Sequence, residues 1–376
     1  MRISSLDALR GYSALTVLLH HCILIFPRYH RPPINFWLSD FWSFDTVWFS
    51  IVKYTPIYLL FLGTKAVFIF FVISGFVISL NFIDGRQQAY PIFIIRRFAR
   101  IYIPFAFAIA FAVLLMVIAA PAKLPKLTDW FNGSWNSQPN AQTISGHLLM
   151  LGDPYTDFDN VIWSLIIEMR VSIIFPAIVA AVVWNTRLTI IVACVLAPIG
   201  FIGDRLVSGE LSSWCLTVQY LILFVAGSAL AVHRIALKNW WLAQRAFRQK
   251  LFWIVAALLL MIPIANEWTF WFAGPAAIAV VALCYADVRA QYILNNPLLR
   301  WLGRVSYSLY LIHLPILLFF IHCLYGRIPL VPVIVMAITL SLLFAEIVNR
   351  LVERPAQLLG TMFSTMWENR RRKAVS

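Results

Sequence analysis

The sequence predicts an all-α fold: a polytopic transmembrane helical bundle of about ten spans, with both termini cytoplasmic. Three observations predict it. Of 376 residues, 61% are hydrophobic and only 12% charged, with a mean hydropathy of +0.81. A soluble domain is about 25% charged. Too little polar surface remains to cover a globule, which excludes a soluble enzyme and a disordered chain alike. Apolar stretches of helix length recur along the whole chain without alternation of polar and apolar residues, favouring helices over a membrane barrel. Finally, Lys and Arg are distributed unevenly between alternate connecting segments.

The apolar segments are 9–27, 58–83, 98–120, 161–183, 187–203, 212–233, 251–267, 269–287, 302–324 and 330–350. The first follows Asp7 and Arg10, contains His20 and His21, and has no small-residue cleavage site after it. It reads as an uncleaved span, not a signal peptide. Segment 187–203 is short, and 251–267 and 269–287 are joined only by Asn266-Glu267-Trp268. With the N-terminus inside and the spans alternating, only Arg28, Arg31, Lys53, Lys65, Lys123, Lys126, Arg205 and Arg327 fall outside. Arg170 lies within a span, and the rest of the 30 Lys and Arg sit on inner segments. That bias accounts for the net charge of +14 and leaves no call for nucleic acid as a partner. The bilayer itself is the expected surrounding. Cys22, Cys194, Cys215, Cys284 and Cys323 lie in or near apolar runs without CxxC spacing, and read as buried hydrophobes rather than a disulfide or metal framework.

Two outer loops are long. Residues 28–57 carry Trp37, Trp42 and Trp48; residues 121–160 carry Asn132-Gly133, Pro139, Asp153, Asp157 and Asp159. Their aromatic residues either lie at the lipid interface or roof a cavity for a sugar ring. No internal repeat is visible, whereas inverted repeats mark many secondary transporters.

Ionisable groups within spans are costly and default to functional candidates. Here they are His20, His21, Glu168, Arg170, His313, His322 and Glu346. At about 1.5 Å rise per residue, His21 lies about 16 Å beyond Arg10 and His313 about 13–14 Å beyond Arg304. Glu168 lies about 10 Å below an outer face set at Val161. Three helices thus bring two imidazoles and a carboxylate to similar depth, where an imidazole serves as base or nucleophile near neutral pH. Hydrogen bonding between helices is the structural alternative. His322 reads as interfacial, and Glu346 as a local partner of Arg350 at i,i+4. Arg170 is two residues from Glu168, does not face it, and needs a partner elsewhere. Arg96, Arg97 and Arg100 either anchor to anionic lipid or bind the phosphates of a nucleotide-containing substrate, for which the planar guanidinium is suited. There is no Walker loop or dinucleotide fingerprint.

Six segments in order carry a family resemblance: Leu6-Asp7-Ala8-Leu9-Arg10-Gly11 with ten residues between Arg10 and His21; Phe70-Phe71-Val72-Ile73-Ser74-Gly75-Phe76; Arg96-Arg97-Phe98-Ala99-Arg100-Ile101-Tyr102-Ile103-Pro104; Trp163-Ser164-Leu165 with Glu168 and Pro176; Leu302-Gly303 through Ser306-Tyr307-Ser308-Leu309-Tyr310 to His313; and Glu353-Arg354-Pro355. Together they resemble the acyltransferase-3 family of integral membrane acyltransferases, across residues 3–355. The motif spacing selects His21 over His20. Met169-Arg170-Val171-Ser172 departs from the aromatic pair that many members carry after the glutamate.

The resemblance implies transfer of an acyl group, usually acetyl from acetyl-CoA, to a hydroxyl of a carbohydrate or lipid-linked glycan acceptor. No metal is implied, and the membrane is expected to be a bacterial inner membrane. The expected catalytic residues are His21, Glu168 and His313. Arg10, Arg96, Arg97 and Arg100 are expected to bind the CoA phosphates, and Ser74, Arg170, Ser306 or Tyr307 to stabilise the oxyanion. Residues 1–355 form the expected integral domain and 356–376 a basic cytoplasmic tail, without an appended esterase-like domain. Succinyl transfer or a small-molecule acceptor is an alternative within enzymology; a non-enzymatic transporter or flippase is the alternative from another class.

Overall fold

A computed structural model describes residues 3–27, 44–83, 89–152, 155–262 and 268–375. Trp37, Trp42, Asp153 and the Asn266-Glu267 turn lie outside the described residues. Its helices are α1 (Ser4–Leu24), α2 (Phe44–Tyr54), α3 (Thr64–Ile83), α4 (Tyr90–Ala119), α5 (Asp129–Gly133), α6 (Ala141–Leu148), α7 (Trp163–Leu206), α8 (Glu210–Val232), α9 (Arg234–Leu242), α10 (Ala246–Met261), α11 (Thr269–Ala286), α12 (Val288–Leu294), α13 (Pro297–Leu324), α14 (Leu330–Val348) and α15 (Arg354–Val375). There is no sheet among the described residues. Among the described residues, seven helical stretches are long and apolar enough to cross a membrane. The bundle is a polytopic helical membrane fold.

Several boundaries differ from the sequence expectation, each for a local reason. Segment 58–83 is broken: a 3-10 turn, Pro56–Phe61, ends at Gly63, whose φ of 55° interrupts the helix before Thr64. Lys65, expected in an outer segment, is instead buried in the first turn of α3, where its ammonium donates to the carbonyls of Leu260 (2.9 Å) and Ile262 (2.5 Å). The third span starts at Tyr90, with Pro91 in its first turn, so Arg96 and Arg97, which precede the expected segment 98–120, lie within α4 together with Arg100. Segments 161–183 and 187–203 are the two halves of α7, broken at Asn185 (φ −153°, ψ 90°). After α14 the chain makes a π turn, Asn349–Glu353, and continues as α15. The expected tail is therefore a helix, and Gly360 lets it lie against Arg96 and Ala99 of α4.

Exposed Ile191, Val195, Ile199 and Ile202 give the second half of α7 an apolar outer face suited to lipid tails. Exposed Cys194 lies on the same half, which corrects the expectation that all five cysteines are buried.

The site is positioned by α1 and α13. A Cβ on Gly11 would collide with the backbone of Leu302 and Gly303, and one on Gly303 with the backbone of Asp7. The two helices therefore touch backbone to backbone. His21 lies ten residues beyond Gly11, and His313 ten residues beyond Gly303. The imidazoles meet, so the helices run parallel and in one register. Ten residues of helix, about 15 Å, separate the glycine contact from the histidine contact. Gly75 of α3 and Gly227 of α8 permit a second close crossing.

Candidate active site

His21 Nδ1 and His313 Nε2 are 2.8 Å apart, with the ring planes inclined by only 11°. His313 Nδ1 lies 3.0 Å from the Leu309 carbonyl. A carbonyl only accepts, so His313 Nδ1 carries the proton and Nε2 a lone pair. His21 Nδ1 must then be the donor of the imidazole–imidazole bond. His21 Nε2 is left as the basic nitrogen, with no hydrogen-bond partner among the described residues. His313 is fully buried, whereas His21 keeps partial exposure. On its other side His21 lies parallel to the Trp130 indole, with centroids 5.3 Å apart. Adjacent His20 turns away; its Nδ1 is 3.1 Å from the Phe61 carbonyl.

Trp130 belongs to the loop that covers the end of α1. His21 is in the last turn of that helix. The 121–160 loop dips inward to cover it: Thr128 Oγ1 donates to the Leu24 carbonyl (2.8 Å), while Phe131 and Trp135 pack on His322.

Glu168 does not join the imidazoles as the third member of a triad. Its carboxylate accepts from Arg97 (2.8 Å) and Ser74 Oγ (2.5 Å), and the Arg97–Glu168 pair is largely shielded, with side-chain exposures of 11% and 14%. Ser172 also accepts from Arg97 Nε and from its NH2 group, at 3.2 and 3.1 Å. The orienting acceptor behind the histidine pair is the Leu309 carbonyl instead.

Arg10, Arg96, Arg97 and Arg100 converge with Ser74, Asn81 and Glu168 on one pocket of about 190 Å³. Arg10 Nε is buried there without a hydrogen-bond partner. The pocket is small, and its four guanidiniums suit an anion. Arg96 Nε donates to Ser364 Oγ of α15 (2.8 Å), so the C-terminal helix braces one of the pocket's arginines from behind. From Arg10 to His21 is about 16 Å along α1, and His21 is not among the residues lining this pocket.

The oxyanion candidates are dispersed. Ser74 serves Glu168; Ser306 Oγ donates to its own helix at Gly303; Tyr307 donates to the Ile101 carbonyl (2.8 Å). Arg170 faces α8, donating to Ser213 and Thr217 and to the Leu151 carbonyl, with Trp214 against its guanidinium. Glu346 pairs with Arg350 at i,i+4 (2.6 Å), and also accepts from Trp301 and Arg304. Sequence reasoning missed Trp130, Ser172 and Ser364. Ser172 stood in a recognisable motif; the other two act through tertiary contacts that no spacing reveals. It also missed Asp159, whose two carboxyl oxygens are buried without hydrogen-bond partners. Burial pushes its pKa well above the usual carboxylate range.

An acyltransferase-domain family model matches residues 3–348, nearly the whole chain. The curated O-acetyltransferase PaAT-1 of Phomopsis amygdali is 29% identical over 206 residues, which is 46% of this chain and 39% of that protein. The chain thus matches well under half the length of this relative. No solved structure matches. By the family match, the chain belongs to the acyltransferase-3 family of integral membrane acyltransferases.

Proposed function

We propose that this protein is a membrane O-acyltransferase that moves an acetyl group from cytoplasmic acetyl-CoA to a hydroxyl of a glycan or glycan-lipid acceptor, with His21 as general base or transient nucleophile. The observation that carries the reading is the ordered chain Leu309 carbonyl–His313–His21, which leaves an unprotonated imidazole nitrogen beneath the outer loop. The basic pocket supports the donor assignment. Its four guanidiniums suit phosphate groups of CoA, with the nucleoside outside and the pantetheine arm extending along α1.

In the general-base form, His21 Nε2 takes the acceptor hydroxyl proton as that oxygen attacks the thioester carbonyl. The C–S bond breaks, and the thiolate takes the proton from His21 to leave as free CoA thiol. In the nucleophilic form, Nε2 itself attacks the thioester carbonyl and the C–S bond breaks, releasing the CoA thiolate; the acceptor oxygen then displaces the imidazole from the acyl-imidazole, and its proton passes to the thiolate to give free CoA thiol. Both forms develop positive charge on His21, which the bond to His313 stabilises.

The topology that goes with this reading has ten crossings, with α1, the two halves of α7, and α10 each counted as a span and both termini inside. The parallel course of α1 and α13 supports that alternation. The membrane we assign is a bacterial inner membrane. The test is mass spectrometry of cell-surface glycans from cells with and without the protein, alongside thiol release from acetyl-CoA by the purified chain. An acetyl mass lost with the protein supports the reading. Unchanged glycans together with no thiol release overturn it.

A further inference from the structure

We infer that a second ligand site lies behind α1, away from the histidine pair: a groove for one acyl chain of an anionic phospholipid of the inner leaflet, with its headgroup at Lys250 and Arg289. Tyr12 and His21 are nine residues, two and a half turns, apart, and so face opposite sides of α1. On the Tyr12 side, Leu9 and Tyr12 look across a cavity of about 720 Å³ toward α10. The α10 side is formed by Trp253, Ile254, Ala257 and Leu260, one face of that helix at three- and four-residue spacing. This face has α11 beside it and, across the cavity, α1 and α12.

The polar residues of the groove are gathered at one end. There Asp287 is already engaged, accepting from Trp253 Nε1 (2.9 Å) and from the Arg289 backbone N–H (2.8 Å). Lys250 and Arg289 are exposed at the same end and form no ion pair among the described residues. The groove therefore couples an apolar slot to two uncommitted cations. From Lys250 to Leu260 it runs about 15 Å, half of the roughly 30 Å hydrocarbon core and so the depth of one leaflet. Its basic end belongs to the inner leaflet under the topology proposed above. Anionic lipids of that leaflet are drawn to such clusters. Moving a chain from bilayer into an apolar slot gains little by itself, since lipid tails are as apolar as the slot. Selectivity must then reside in the headgroup.

Native mass spectrometry of the purified full-length chain tests this, with equal amounts of dioleoyl phosphatidylglycerol and dioleoyl phosphatidylcholine added. The expected result is retention of the anionic lipid over the zwitterionic one by about tenfold, the factor that 1.4 kcal/mol provides. Lys250→Ala with Arg289→Ala should bring that ratio to about one. Ala257→Trp, which fills the slot, should remove the retained lipid altogether. Should the alanine pair fail to fold, Lys250→Gln with Arg289→Gln and the Ala257→Trp protein carry the same comparison. Three results overturn the inference: equal retention of both lipids by the unaltered protein; a preference unchanged by either kind of substitution, which marks annular lipid only; and displacement by inorganic phosphate, which marks a free-anion site. None of these readouts involves acyl transfer, so failure here leaves the catalytic reading standing, and failure of catalysis leaves the groove untouched.

Discussion

Replacing His313 with leucine should slow catalysis while leaving donor binding intact. The substitution removes the acceptor 2.8 Å from His21 Nδ1 and the donor to the Leu309 carbonyl. His21 becomes cationic in either form of the proposed reaction. A hydrogen bond from a charged group contributes about 1.5–3 kcal/mol, which corresponds to about 10- to 150-fold in rate. The loss should fall on kcat, because His313 does not line the basic pocket. Thiol release from acetyl-CoA by purified protein measures both constants, and a melting curve checks the fold. His313→Gln, whose amide oxygen can accept from Nδ1–H, should recover part of the lost rate. A leucine variant within twofold of the unaltered protein, or a loss confined to KM, would refute the reasoning.

Three other substitutions have defined outcomes. Arg97→Ala leaves the Glu168 carboxylate buried without its ion-pair partner, a cost of about 3–5 kcal/mol; thermal melting should fall sharply, and adding Glu168→Gln should restore most of it. Gly11→Ala should wedge α1 from α13 at Leu302–Gly303 and part the histidines about 15 Å away, so that thiol release falls while acetyl-CoA binding persists; unchanged turnover would detach the glycine contact from the site. Asp159→Asn should raise the melting temperature at pH 7 and much less at pH 4. The folded-state pKa of Asp159 is raised by burial, so stability is full below the unfolded value of about 3.9 and is lost as pH rises toward the folded value. An equal shift at both pH values would contradict this.

Much of the fold was legible because lipid imposes simple rules. Apolar runs marked the helices, and charge placement suggested their direction. The gap left between segments 161–183 and 187–203 anticipated the break at Asn185; the break at Gly63 was less visible, because a single glycine lies within an otherwise apolar stretch and only its backbone angle reveals it. At the site, the spacing of Arg10 and His21 selected His21 over His20, whereas the shared register of α1 and α13 emerged only from their backbone contact at Gly11 and Gly303. Depth along separate helices was a weaker guide. It grouped Glu168 with the imidazoles, whereas the positive charge of Arg97 holds Glu168 in the inner cluster. Trp130 and Ser364 reach the site from a five-residue helix and from the C-terminal helix, and nothing in their neighbouring sequence marks either.

The most direct measurement compares unaltered protein with His21→Ala in purified form, following thiol release from acetyl-CoA in the presence of membrane-derived acceptor and acetyl-CoA binding in parallel. General acid–base catalysis contributes about 10²–10⁴ in rate, so turnover should fall at least a hundredfold while binding at the arginine pocket stays unchanged. Turnover surviving within about tenfold would show that the imidazole of His21 does not carry the reaction.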